Sequence, residues 1–182
     1  MTEQGLCIDA AREARLGFDE AIYGAGKSVE QLDALVADTM ASDGRRLFTR
    51  LRPEQVAALS PAHREVMDYD PVSRTGIVGV QRRPARPPSV AVLTAGASDA
   101  PVAGEAARTL AYYGQGALQV ADVGVAGLWR LLARVDELRA LPVLIVAAGM
   151  EGALVSVVGG LLPGVVIALP RAAGRAAAPE AS

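Results

Sequence analysis

The chain of 182 residues has a formal net charge of −2 and an isoelectric point near 5.5, so it offers no basic field to a nucleic-acid partner. With 51% apolar and 21% charged residues, it is long enough for one domain or two small ones that bury roughly 70% of the unfolded surface. Its one cysteine, Cys7, excludes an internal disulfide or a cysteine zinc cage, and its one histidine, His63, excludes a histidine-rich metal site.

The opening segment MTEQGLCIDAAREARLG lacks the apolar core of a secretory signal. A cytoplasmic, soluble protein is expected. Residues 1–80 read as a small α+β domain. Asp9 to Phe18 is compatible with a helix, and the turn Gly24–Lys27 ends that region. Ser28 with Gln31 forms a capping box for a helix reaching Met40. RRLFTRL reads as a strand, PEQVAAL opens a helix with Pro53 early in its first turn, and TGIVGV reads as a short strand. Residues 81–89, QRRPARPPS, sustain neither helix nor central strand and form a linker whose arginines read as a solvated tether.

From residue 90 to 170 strand and helix alternate. SVAVLTA is followed by a helix from Pro101 to Tyr113, and GALQVAD by a helix from Val125 to Arg139. PVLIVAAG is followed by the helical MEGALVSVVGGLL, and GVVIAL closes the series. This βαβαβαβ order predicts an α/β fold with a doubly wound parallel sheet. Between Pro142 and Pro170 the only ionisable residue is Glu151, in a run long enough to raise a bilayer span. A charge at a helix centre costs about 2.5–3.5 kcal/mol on insertion. Six glycines and prolines also cut the run into lengths typical of soluble strands and helices, so no membrane partner is expected. The helix ALVSVVGGLL is apolar on all sides, whereas a sheet covers one, which implies a homo-oligomer. Residues 171–182, RAAGRAAAPEAS, read as a disordered tail.

Ligands in such sheets sit where strands give way to helices, which singles out three turns. In Thr94–Asp99, the opening amides of a helix suit a phosphate, with Gly96 for the turn, Ser98 as hydroxyl donor and Asp99 for ribose hydroxyls. Ser98 or Asp99 can equally serve only to cap the helix that Pro101 pre-sets. The loop matches neither a dinucleotide fingerprint nor a P-loop. In the second turn Asp122 is either a cap or a ligand contact. The third holds Gly149, Met150 and Glu151. A carboxylate on the first turn of an apolar helix needs a partner, either the helix end or a substrate, and can act as general acid or base.

These turns carry a resemblance. The run TAGASDAPVAGEAARTL, DVGVAGLWRLLARVDELRA, VLIVAAGMEGALVSVVGGL resembles the LarB family, the carboxylase/hydrolases of nickel-pincer nucleotide biosynthesis, which are related to the aminoimidazole ribonucleotide carboxylases. Asp9 and Arg12, RLGFDEAIYGAGKSVEQL, LFTRL and YDPVSRTGIVG agree with it, so the likeness covers about residues 5–170, with AGMEGALVSVVGG its most specific segment. The resemblance implies a flavodoxin-like fold in a large oligomer. It also implies nicotinic acid adenine dinucleotide as substrate, carbon dioxide as co-substrate added to the pyridine ring, and hydrolysis of the phosphoanhydride to release AMP. By position it places Gly96, Ser98 and Asp99 on the phosphate- and ribose-binding loop and Glu151 on the active-site glutamate. No tightly bound cofactor is expected, and magnesium is admitted for the phosphoanhydride step alone.

The sequence also departs from the family. In the family a cysteine thiolate adds transiently to the pyridinium ring, and that cysteine lies beyond the fourth strand, whereas Cys7 is the only thiol here. Ala97 stands for the usual threonine or serine, Trp129 where histidine is common, and Ala11 where histidine is frequent. The chain is therefore expected to be a truncated member, its sheet incomplete at the C-terminus, with half of the binding site and impaired catalysis. A nucleotide-binding or oligomer-interaction module without catalysis is the alternative. A purine-pathway carboxylase ranks last, because the turns lack that family's histidine pattern.

Overall fold

The computed structural model describes residues 8–9, 11–84, 86–149 and 152–170. Two compact units emerge, one of residues 1–87 with 104–116, the other of residues 88–103 with 117–182.

In the first unit, helix α1 (Arg12–Leu16) is followed by β1 (Ile22–Tyr23), α2 (Val29–Ala41), β2 (Arg46–Thr49), α3 (Pro53–Ala57), α4 (Pro61–Val66), β3 (Met67–Asp70) and β4 (Thr75–Val78). The four strands form one sheet in the order β1-β2-β4-β3, parallel between β1 and β2 and antiparallel elsewhere. The predicted capping box is present: Ser28 Oγ accepts from the Gln31 amide at 3.3 Å and Gln31 Oε1 from the Ser28 amide at 3.1 Å. From that start Leu32, Leu35, Val36 and Thr39 recur at helical spacing and are buried. Leu32, Leu35 and Val36 pack with Phe48, Leu51, Val56, Met67 and Val78. The helix expected from Asp9 to Phe18 is only Arg12–Leu16, because Gly17 adopts a left-handed φ of 82° and closes it by donating to the Glu13 carbonyl. Strands β1 and β3 and helix α4 were not anticipated. Each has two to six residues, too few for a period to show.

Residues 104–116 bring to this unit most of helix α5 (Ala100–Tyr112). Tyr112, fully buried, packs with Leu47 and Ile77. Its hydroxyl donates to the Asp19 carboxylate, and the Arg45 guanidinium lies 4.3 Å over its ring. Burial, reinforced by Asp19, raises the Tyr112 hydroxyl well above the ordinary phenolic range, and pushes that of Tyr113 up to about 12.

The second unit holds the alternating series: β5 (Val90–Thr94), the start of α5, β6 (Ala117–Val120), α6 (Leu128–Leu132), α7 (Val135–Arg139), β7 (Val143–Ala148), α8 (Ala153–Leu161) and β8 (Val165–Pro170). Its sheet is all parallel, in the order β6-β5-β7-β8. The fold is therefore α/β with a flavodoxin-like parallel sheet flanked by helices, preceded by a small mixed sheet. All five residues of β5 are buried, as expected of a central parallel strand that reads as a continuous apolar run. The core joins Ala91, Leu93, Val120, Leu144 and Val146 to Leu131, Leu138, Leu154 and Val158 on the helices. Strand β8 lies at the edge and is mostly exposed.

The single helix expected from Val125 to Arg139 is three pieces. A 3-10 turn (Val125–Gly127) leads into α6, and the ladder tightens at Arg134, whose amide donates to Leu131 rather than one residue further back, before α7 resumes. Residues 81–84 and 86–89 form neither helix nor strand, as their prolines predict. Among the described residues no helix is long and apolar enough to cross a membrane. Within Pro142–Pro170 the described chain is two strands and a nine-residue helix.

Candidate functional site

Strand order in the second unit fixes where a ligand can sit. From β5 the chain passes to β6 on one side and then to β7 on the other, so the order reverses beside β5. Crevices in open parallel sheets form outside the carboxyl ends of the strands at such a reversal. A cleft of about 400 Å³ lies there, lined by Ala95, Gly96, Ser98 and Asp99 after β5, Gly124, Val125 and Ala126 after β6, Ala148 and Gly149 at the end of β7, and Ala153 and Leu154 of α8.

Main-chain bonds stitch its walls together. The Val123 amide donates to Thr94 O and the Gly124 amide to Ala95 O, both at 3.0 Å, and the Ala95 amide reaches Ala147 O at 3.2 Å. Thr94, at the end of β5, accepts from the Asp122 amide through its hydroxyl at 3.2 Å. Gly124 is required by this approach: a Cβ there would lie 2.6 Å from the Ala95 carbonyl oxygen.

Asp99 is 3% exposed, and its Oδ2 accepts from the Gly96 amide at 3.0 Å. Its own amide donates back to Gly96 O at 3.0 Å. This reciprocal pair closes a 3-10 turn (Ala97–Asp99) that runs directly into α5. The carboxylate thus performs the local role considered for it while lining the cleft. The Gly96 amide is spent on it. Ala97 and Ser98 are exposed, and the first amides of a helix find no acceptor within it. They, with the Ser98 hydroxyl, are what this turn offers an anion.

Asp122 has a different place. It adopts a left-handed φ of 59° and its side chain is 67% exposed and paired with the Arg130 guanidinium, which also donates to the Asp122 carbonyl at 2.9 Å. Asp122 does not line the cleft. Of the seven residues singled out in the sequence, Gly96, Ser98, Asp99 and Gly149 come together in it. Met150 and Glu151 lie outside the described residues, as does Cys7. Sequence reasoning missed Gly124, Val125 and Ala126 as lining residues, although the glycine-rich DVGVAG turn was the signal. No lysine or arginine is among the described lining residues, so an anion would be held by amides and the helix dipole rather than by side-chain cations. Among the described residues no three His, Cys, Asp or Glu side chains group to hold a metal.

Residues 4–81 match the LarB/PurE-like N-terminal domain. An uncharacterized protein of Methanocaldococcus jannaschii is 34% identical over 177 residues, covering 92% of this chain and 68% of that protein. The chain belongs to the LarB family. Membership brings a carboxylase-related function at the level of the family. The match to the methanogen protein covers 92% of this LarB-family chain and so reaches well beyond the N-terminal domain.

Proposed function

We propose that the cleft is a nucleotide site and that the chain works in carboxylation of the pyridine ring of nicotinic acid adenine dinucleotide by carbon dioxide, with hydrolysis of its phosphoanhydride to AMP and the carboxylated mononucleotide, as in nickel-pincer nucleotide biosynthesis. The observation that carries this reading is the cleft at the sheet's reversal point in a LarB-family chain, opened by a short turn with exposed residues at 97 and 98. In this reading the Ala97 and Ser98 amides and the Ser98 hydroxyl hold a phosphate, Asp99 fixes the turn through Gly96, and Gly149 lets the substrate approach the backbone closely. Glu151, which follows β7 in sequence, serves as acid or base, first relieving the ring of its proton after carbon dioxide adds and then assisting the water that attacks phosphorus. Asp122 acts indirectly by holding Arg130, and no residue is assigned to magnesium. A homo-oligomer in the cytoplasm belongs to the same proposal. The exposed apolar edge of β8, with Val165 59% and Ile167 43% exposed, supports the oligomer.

A second reading is nucleotide binding without carboxylation. It is favoured by the described lining of the cleft, where Asp99 is the one titratable side chain and its carboxylate is engaged by the Gly96 amide. One experiment separates the two. The purified chain is titrated calorimetrically with nicotinic acid adenine dinucleotide, then incubated with it and bicarbonate, and the products are weighed by mass spectrometry. Binding with AMP release and a carboxylated product supports the first reading, and E151Q should then retain binding and lose product. Binding without product supports the second. No binding at all overturns both.

A further inference from the structure

Three large apolar side chains on the segment leaving the cleft stand in solvent: Val125, Trp129 and Leu132 are 43%, 70% and 50% exposed. Trp129 and Leu132, three apart on α6, share a face of that helix, while Leu131, turned the other way, is fully buried. Gly127, at φ −127° and ψ 48°, separates them from the 3-10 turn that carries Val125. Val125 also lines the cleft. Trp129 follows this cleft residue by four positions, as the second residue of α6. The Arg130 guanidinium lies 5.4 Å from the indole centroid and is itself tied to Asp122. A Cβ on Gly127 would meet this guanidinium at 2.8 Å, so the arginine is folded back on the backbone. An ion pair and a close backbone contact thus set the cation beside the ring and leave most of the indole open.

We infer that Trp129 is a stacking platform for the base of a nucleotide whose phosphate is held at the 97–98 turn. This inference rests on the nucleotide reading of the cleft and deepens it by naming the side chain that receives a base. A flat, exposed indole suits the face of such a base, and stacking of this kind needs no particular hydrogen-bond pattern. The phosphate turn anchors the ligand and the ring selects for the base. Arg130 and Asp122 position the platform without touching the ligand.

The sequence has one tryptophan, so intrinsic indole fluorescence reports this side chain alone. The full chain is titrated with AMP and, in parallel, with ribose 5-phosphate. AMP is expected to quench the fluorescence and to bind about tenfold more tightly than ribose 5-phosphate, the equivalent of about 1.4 kcal/mol of stacking. W129A should erase that preference while leaving ribose 5-phosphate affinity unchanged, and W129F should keep most of it. An unchanged AMP preference in W129A overturns the platform while leaving the phosphate site standing. So does fluorescence that changes with protein concentration and not with AMP, which would mean that a second copy covers the indole. Failure of both ligands to bind the parent chain removes the nucleotide reading and the platform together.

Discussion

Two aspartates succeed strands of the same sheet, at similar glycine-containing turns, and have opposite fates. Asp99 is buried, bonded to the Gly96 amide and part of the cleft wall. Asp122 is exposed, left-handed in its backbone and paired with Arg130 outside the cleft. The difference lies in the downstream neighbours of each residue. After Asp99 the chain enters a thirteen-residue helix, so its carboxylate turns inward to close the helix start. After Asp122 come Val123 and Gly124, whose amides are pulled onto Thr94 and Ala95, and the side chain is carried out to solvent. An acidic residue at a strand end is thus a weak guide to ligand contact until the main-chain bonds around it are known.

The largest expected effect comes from breaking the joint between the two turns. G124V drives a branched side chain into the Ala95 carbonyl and should cost about 3 kcal/mol by urea denaturation, with loss of nucleotide binding measured by calorimetry. D99A leaves the half-buried Gly96 amide without its carboxylate and should cost about 2 kcal/mol, whereas D99N, which keeps an accepting oxygen, should recover most of it. A cap away from both turns gives the scale: S28A, at the start of α2, should cost about 1 kcal/mol. The smallest effect belongs to D122N, which keeps a side chain tolerant of positive φ and loses one solvent-exposed ion pair, about 0.5 kcal/mol. High salt should shrink the D122N difference, because exposed pairs are screened, and leave that of D99A intact. Equal salt dependence for the two variants would erase the distinction drawn between them.

Much of this was legible in the sequence. Ser28 and Gln31 announce their capping box by identity and spacing alone, and the central strands β5 and β7 read as apolar runs because parallel strands covered on both faces have no polar side. The features that were not legible depend on contacts distant in sequence. The break at Arg134 leaves no mark in a stretch whose apolar spacing suits a continuous helix. Val125 and Ala126 are cleft residues only because Gly124 is bonded to Ala95, 29 positions earlier. The choice between Asp99 and Asp122 is likewise decided by burial and not by residue type.

The bonds from Val123 and Gly124 to Thr94 and Ala95 also bear on how the site can change. The frame around the cleft is made of main-chain atoms, and Ala97, Ser98, Val125 and Ala126, all exposed on it, contribute little to holding it. Their side chains are therefore free to be exchanged, by drift or by design, while the cleft keeps its shape. New ligand preferences can be written at these four positions with little penalty to folding, and a saturation library confined to them should return mostly folded proteins.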